Sequence, residues 1–212
     1  MSGVQRREQL LDVARHVFAE KGFDAASMEE IATRAKVSKP VVYEHFGSKD
    51  GIYAVLIDRE IQGLSRALAE ALESEENPRA MLESATLALL DFIESNTEGF
   101  RLLVRDSPVA QSTGSYSSVI GDVAERVGYI LARNFKASGY DQHWSSLYAQ
   151  MLVGVVSQIG QWWLEVRSPA KEQVAAHVVN LVWYGMRGLR QEPRLVTVVE
   201  QKNKTAKPLD TE

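Results

Sequence analysis

The chain has 212 residues, 45% of them apolar, which is enough to bury a sizeable core in one or two domains. It contains no cysteine, so disulfides and thiolate metal sites are excluded and a reducing compartment fits. The formal net charge of −4 gives no global attraction to nucleic acid, so any such contact has to be local.

The first residues, MSGVQRREQLLDVARHVF, are basic early, but Glu8 and Asp12 interrupt what would have to be an uncharged stretch. No signal peptide is read, and a cytoplasmic location is expected. Leu10, Val13, Ala14, Val17 and Phe18 recur at three and four residues, which predicts a first helix over 5–21. Gly22 can take a positive φ to close it, with Phe23 folding back. Ser27-Met28-Glu29-Glu30 is a capping-box pattern that opens a second helix, with Glu30 expected to reach back to the Ser27 amide. Ser38 can cap a third helix that carries Pro40 in its first turn, where a missing N–H is harmless. Gly47-Ser48 then recaps the chain, and Lys49 begins a long fourth helix striped by Ile52, Tyr53, Leu56, Ile57, Leu64, Leu68 and Leu72.

Glu75-Glu76-Asn77-Pro78 reads as a link. Five more helices are predicted at about 79–95, 98–106, 116–138, 141–167 and 171–190, and no alternating run argues for a strand. The fold class is all-α: a small N-terminal helical domain over 1–50, a larger helical domain over 51–192, and a disordered tail over 193–212. The uncharged run from Leu147 to Leu164 approaches membrane-spanning length, but Gln150, Ser157, Gln158 and Gln161 within it favour a buried helix and no membrane.

Two short helices with abrupt starts at Ser27 and Ser38, separated at Lys36 and Val37, have the layout of a helix-turn-helix. The second helix would enter the major groove with its N-terminus first. Lys39 can donate to guanine O6 and N7, and the Pro40 and Val41 surfaces can meet thymine methyls. Tyr43, His45 and Lys49 can donate to phosphates, while Val37, Val42 and Phe46 hold a small core. Residues 34–49 carry four basic residues against one acidic, Glu44, although residues 1–60 as a whole hold nine basic and ten acidic residues. The other reading of the same segment is a capped surface helix with solvated lysines.

Residues 27–53, SMEEIATRAKVSKPVVYEHFGSKDGIY, resemble the DNA-binding segment of TetR-type transcriptional regulators. The resemblance implies a three-helix helix-turn-helix DNA-binding domain over 1–50 and a helical ligand-binding and dimerisation domain over 51–192, in a dimeric repressor released from a palindromic operator when a small, hydrophobic effector binds. It also implies Ser27, Ser38, Lys39, Pro40, Val41, Tyr43, His45 and Lys49 as DNA contacts. Lys36 departs from the family's turn glycine, and Val42 replaces a frequent leucine. The segments Asp91-Phe92-Ile93-Glu94, Gly99-Phe100-Arg101-Leu102 and Trp162-Trp163-Leu164 are similar to regulators that sense fatty acyl-CoA.

In the 141–167 helix, Leu152, Val156, Ile159 and Trp163 form a bulky stripe. Gln150, Gly154, Ser157 and Gln161 form a small polar one, either a close helix contact or a pocket wall. Effector candidates are Phe92, Phe100, Leu103, Tyr129, Tyr148, Met151 and Trp162, with Gln150 or Gln158 to orient a ligand. Arg101 and Arg105 either meet an anionic head group or pair with Glu98 and Asp106. The last helix places Val174, Val178, Leu181, Gly185 and Gly188 on one face and is apolar on more than one side, which a twofold partner would cover. The four histidines, His16, His45, His143 and His177, fall on different helices with no hydrolase or phosphate-loop motif, so neither an enzyme nor a resident cofactor is expected. A helical lipid carrier is a third possibility, opposed by the outward Lys39, Tyr43 and His45.

Overall fold

The computed structural model of the protein describes residues 2–75, 77–105 and 115–195. Among these residues there are nine α-helices, one short 3-10 turn and no strand. The predicted positions Asp106, the loop up to 114 and the tail from 196 lie outside the described residues.

Helix α1 (Gly3–Ala25) opens with a capping box in which the Ser2 hydroxyl accepts from the Gln5 amide at 3.2 Å and the Ser2 amide donates back to Gln5 Oε1 at 2.8 Å. Its regular course breaks at Gly22, whose φ of 81° suits a residue without Cβ. That break folds Phe23 back onto Phe18 and the Tyr53 ring, with Phe23 and Tyr53 centroids 4.9 Å apart and edge-on. Phe18 meets Tyr53 edge-on at 5.0 Å, and each such pair adds about 0.5–1.5 kcal/mol beyond its buried area.

Helix α2 (Met28–Arg34) starts where Ser27 Oγ accepts from the Glu30 amide at 3.2 Å. Only half of the expected box forms. The Glu30 carboxylate turns instead to Lys21 at 2.8 Å and to Arg34 at 2.6 Å. These partners offer charge where the Ser27 amide offers none, and the hydrogen bond from Lys21 leads in holding the Glu30 carboxyl below its usual range. Arg34 also grips Glu20 at 2.7 Å, tying α2 to α1.

The turn after α2 places Lys36 at φ 56°, where the family's glycine would sit. The Val37 amide reaches the Ala32 carbonyl at 3.0 Å, closing a Schellman-type end. Helix α3 (Lys39–Phe46) then begins with Pro40 in its first turn, and the Ser38 hydroxyl makes no capping hydrogen bond. Gly47, at φ 72°, ends α3 by donating to the Tyr43 carbonyl at 2.7 Å. Helix α4 (Lys49–Glu73) follows, capped by Ser48 Oγ accepting from Gly51. All seven predicted stripe residues of α4 are buried, and the six from Ile52 to Leu68 join a continuous core with Leu10, Leu11, Ile31 and Val42.

Helix α5 (Pro78–Ser95) is capped by Asn77 Oδ1. It is followed by α6 (Thr97–Val104), α7 (Tyr116–Ala137), α8 (Ser145–Val166) and α9 (Lys171–Arg187). The predicted 141–167 helix is split: residues 142–144 form a 3-10 turn and α8 starts at Ser145. Helices α7 and α8 pack along each other, α5 lies against α4 and α8, and α9 lies mainly on α5. Close approach of α8 to α5 occurs at Gly160, where a Cβ would come within 2.8 Å of Leu89 Cδ2. Helix α9 buries Val174, Ala175, Val178, Val179 and Val182, whereas Leu181, two turns from Val174 at the edge of that face, is 70% exposed, and Gly185 and Gly188 are exposed as well. No helix among the described residues is long and apolar enough to cross a membrane, and α8 is partly buried as expected.

Candidate nucleic-acid interface and ligand cavity

The short α3 is held as a rod on the domain by Val42, which is fully buried, and by Phe46, over which the Arg7 guanidinium sits 4.8 Å from the ring centroid. Gln9 Nε2 donates to the Ala35 carbonyl at 3.3 Å and secures the turn from α1. The opposite side of α3 faces outward. Ser38, Lys39, Pro40 and Tyr43 are exposed, while Val41 and His45 are half-buried at its edges. The Lys39 ammonium lies 5.9 Å from the Tyr43 ring centroid, so these side chains share one surface. Such a surface presents donors and a methyl-sized apolar patch from the leading turn of a helix, which is what base edges in a major groove require. Ser27 is exposed as well, but its hydroxyl is engaged in capping α2.

Lys49 is the exception among the predicted contacts. Its ammonium donates to the carbonyls of Phe23 at 2.9 Å and of Asp24 and Ala26 at 3.3 Å each, and it stands over the Phe23 ring. The positive φ at Gly22 turns these carbonyls out of the helical ladder, and the lysine at the head of α4 is the cation within reach. Lys49 and Gln9 therefore position the helices. For Gln9 the sequence holds no signal, since a glutamine on a helix surface is unremarkable.

A cavity of about 110 Å³ opens between α4, α5, α7 and α8. Helix α4 contributes Leu68 and Leu72; α5 contributes Met81, Leu82, Ala85 and Leu89; α7 contributes Ile120, Val123, Val127, Ile130 and Leu131; α8 contributes Leu152, Val153 and Val156. Asn134 and Ser157 are its polar side chains, and the Ser157 hydroxyl already donates to the Gly154 carbonyl at 3.2 Å. Nearby, the Tyr116 hydroxyl donates to the Ser157 carbonyl at 3.4 Å, and burial pushes its ionisation well above the ordinary tyrosine range. An alkyl lining of this kind suits a hydrophobic ligand.

None of the eight predicted effector contacts lines this cavity. Phe100 and Leu103 are in the core, where the Phe100 ring meets Tyr116 edge-on at 5.2 Å. Phe92 flanks an open groove between α4 and α5 beside Gly63. Tyr148 packs on Phe135 in a smaller pocket near the start of α8. Tyr129, Met151, Gln158 and Trp162 are exposed, as is Gln150. Bulky rings fill the gaps between helices, whereas the cavity persists where mid-sized aliphatic residues fail to meet. Of the bulky stripe on α8, Leu152 and Val156 do form the cavity wall, and Trp163 is buried with its indole N–H donating to the Pro169 carbonyl. Arg101 lies 3.8 Å from Glu165, and Arg105 donates to the Ala19 carbonyl at 3.0 Å; of the acidic partners expected for them, Glu98 meets His16 at 2.9 Å and Asp106 lies outside the described residues. No cluster of three metal-capable side chains occurs among the described residues.

Comparison with known proteins agrees with this architecture. Residues 10–56 match the family described as bacterial regulatory proteins, tetR family, and residues 78–185 match the tetracyclin repressor-like C-terminal domain. The HTH-type transcriptional activator FasR of Mycolicibacterium smegmatis is 32% identical over 185 residues, covering 86% of this chain and 83% of that protein. A TetR-like transcriptional regulator from Rhodococcus sp. RHA1 superposes with a TM-score of 0.72 at 29% identity, covering 87% of this chain and 97% of the other. The transcriptional regulator FadR from Bacillus subtilis, solved in complex with stearoyl-CoA, shares the fold with a TM-score of 0.65 at 17% identity, over 82% and 96% of the two chains. With the helix-turn-helix, the all-helical second domain and these matches together, the chain belongs to the TetR family of DNA-binding transcriptional regulators.

Proposed function

We propose that the protein is a homodimeric, effector-responsive regulator that reads a palindromic operator with α3 and is released when a hydrophobic compound fills the cavity. The DNA-binding unit spans 1–50 and the effector and dimerisation unit 51–192. In this reading Lys39, Pro40 and Val41 meet base edges, and Ser27, Ser38, Tyr43 and His45 meet phosphates. Lys49 anchors the domain from behind.

The observation that carries the effector class is the cavity wall, which is aliphatic apart from Asn134 and the self-satisfied Ser157. A charged head group has no partner inside, and burying it unpaired would be costly. The ligand therefore inserts an alkyl chain and keeps its polar end at the mouth, as a fatty acyl-CoA would. The stearoyl-CoA complex of the B. subtilis protein is compatible with this chemistry.

Dimerisation rests on an apolar stripe. Leu147, Met151, Trp162 and Val166 on α8, with Leu181 and Tyr184 on α9, are between 44% and 70% exposed. A patch of that kind on the two last helices asks for a self-complementary partner. A twofold axis there would set two copies of α3 about 34 Å apart, on successive major grooves. Bound over a promoter, such a dimer represses. The M. smegmatis relative bears the name of an activator, so operator position sets the sign.

The test is a labelled operator duplex titrated with the protein, with and without stearoyl-CoA. We expect the complex to weaken at least tenfold with stearoyl-CoA and not with CoA alone. An unchanged affinity at saturating stearoyl-CoA would contradict the reading.

A further inference from the structure

Helix α4 carries an apolar stripe through Ile52, Tyr53, Leu56, Ile57, Leu64, Leu68 and Leu72, and at the turn between Ile57 and Leu64 it holds Glu60. Glu60 is the one buried charged residue among the described residues. A carboxylate in that place has to be balanced. One side is met by Arg15 of α1, whose Nε stands 3.1 Å from Glu60 Oε1 without the alignment of a hydrogen bond. The other oxygen accepts from Asn96 Nδ2, at the corner where α5 ends and α6 begins. Gly99, in the first turn of α6, lies so close that a Cβ there would overlap Glu60 Oε2. One side chain thus joins the DNA-binding unit, the long α4 and the α5–α6 corner.

The corner is also held from the other side. Arg167 donates to the Ile93 carbonyl at 3.1 Å and to Thr97 Oγ1 at 2.6 Å, while Lys171 pairs with Asp91 at 2.7 Å and with Glu94. Helix α5 itself forms the cavity wall through Met81, Ala85 and Leu89, and Asn96 lies two turns beyond Leu89, about 10 Å along the axis. With α8 pressed against Leu89 at Gly160, a chain entering the cavity has little slack to absorb there and moves α5 as a unit.

We propose that Glu60 is the positioning residue that transmits this movement: the carboxylate couples the α5–α6 corner to Arg15 of α1, so filling the cavity reseats α1 and, with it, α3. The inference rests on reading the cavity as the effector site. Lost in Glu60→Gln is the charge that holds Arg15, while the size and the acceptor for Asn96 remain. The variant uncouples α1 from the corner without touching the cavity.

Because the chain has no native cysteine, spin labels can be placed in the full-length protein at the exposed positions of Thr33→Cys on α2 and Asp122→Cys on α7, a helix outside the α5–α6 corner that reports the movement of the DNA-binding unit alone. Stearoyl-CoA is expected to shift the distance between the labels in the parent protein. In Glu60→Gln the same compound is expected to bind within about twofold of the parental affinity and to leave the distance unshifted. A shift that persists in Glu60→Gln, or its absence in the parent with stearoyl-CoA bound, overturns the proposal. If the parent does not bind stearoyl-CoA, the reading of the cavity fails by itself. Ala85→Trp then stands in as a permanent occupant: a shift that Glu60→Gln abolishes supports the coupling, and no shift, or one that persists, overturns it. Should Glu60→Gln not fold, Asn96→Ser removes the other half of the joint and is expected to give the same uncoupling.

Discussion

The Lys49 ammonium donates to the Phe23 carbonyl at 2.9 Å and lies 4.4 Å from the centroid of the same residue's ring. A lysine at the start of α4, placed by sequence among phosphate contacts, is thereby fixed to the end of α1. Hydrogen bonds from a charged donor contribute about 1.5–3 kcal/mol. Lys49→Met is expected to lower the unfolding free energy by about 2 kcal/mol, measured by urea denaturation. The salt slope of DNA binding should stay as in the parent protein, whereas loss of a phosphate-contacting lysine would reduce it by about one unit.

Lys36 occupies a left-handed conformation that costs a side-chain-bearing residue about 1–2 kcal/mol. Lys36→Gly relieves that strain at some expense in unfolded-chain entropy, about 0.5–1 kcal/mol. A small net gain, up to about 1 kcal/mol, is expected in thermal denaturation. A loss of stability would mean that the lysine side chain contributes more than its backbone costs.

Glu30 accepts from Lys21 and Arg34, and these bonds hold its carboxyl below the ordinary range. A group depressed in the folded state contributes stability above its unfolded pKa, near 4.5, and loses it as pH falls through the lower folded value. The melting temperature of Glu30→Gln should lie below that of the parent at pH 7, and the gap should close as pH falls below 4.5. A gap that stays constant with pH would place the effect of the substitution elsewhere.

Ala85 lines the cavity without filling it. Ala85→Phe is expected to occupy part of that space, lowering affinity for stearoyl-CoA at least tenfold while leaving the melting temperature equal or higher, as measured by calorimetry of binding and unfolding. Unchanged affinity would remove the cavity from the account.

Several helix boundaries were legible because short-range chemistry writes them: Ser27 and Ser48 cap, Pro40 opens, and Gly22 and Gly47 close, whereas Asn77 and Pro78, which read as a link, in fact cap and open α5. The α4 stripe was legible for the same reason, being periodic along one element. The cavity was not, since it is an absence created by the placement of four helices, fixed in part by Gly160 meeting Leu89. Choosing the largest side chains led to Phe100 and Leu103, which fill space, and to Tyr129 and Met151, which face out. Glu60 left a trace, a charge where the stripe calls for a hydrophobe, but its partners lie 45 residues before it and 36 after, beyond any local pattern.

The most direct test is selection of bound duplexes from a random pool, with Lys39→Ala combined with Tyr43→Ala alongside the parent protein. An inverted repeat with half-sites one helical turn apart, or a multiple of it, is predicted for the parent, with at least a hundredfold loss of affinity for it in the double variant. Recovery of the same repeat at the same affinity by the double variant would contradict the assignment of α3 as the element that reads DNA.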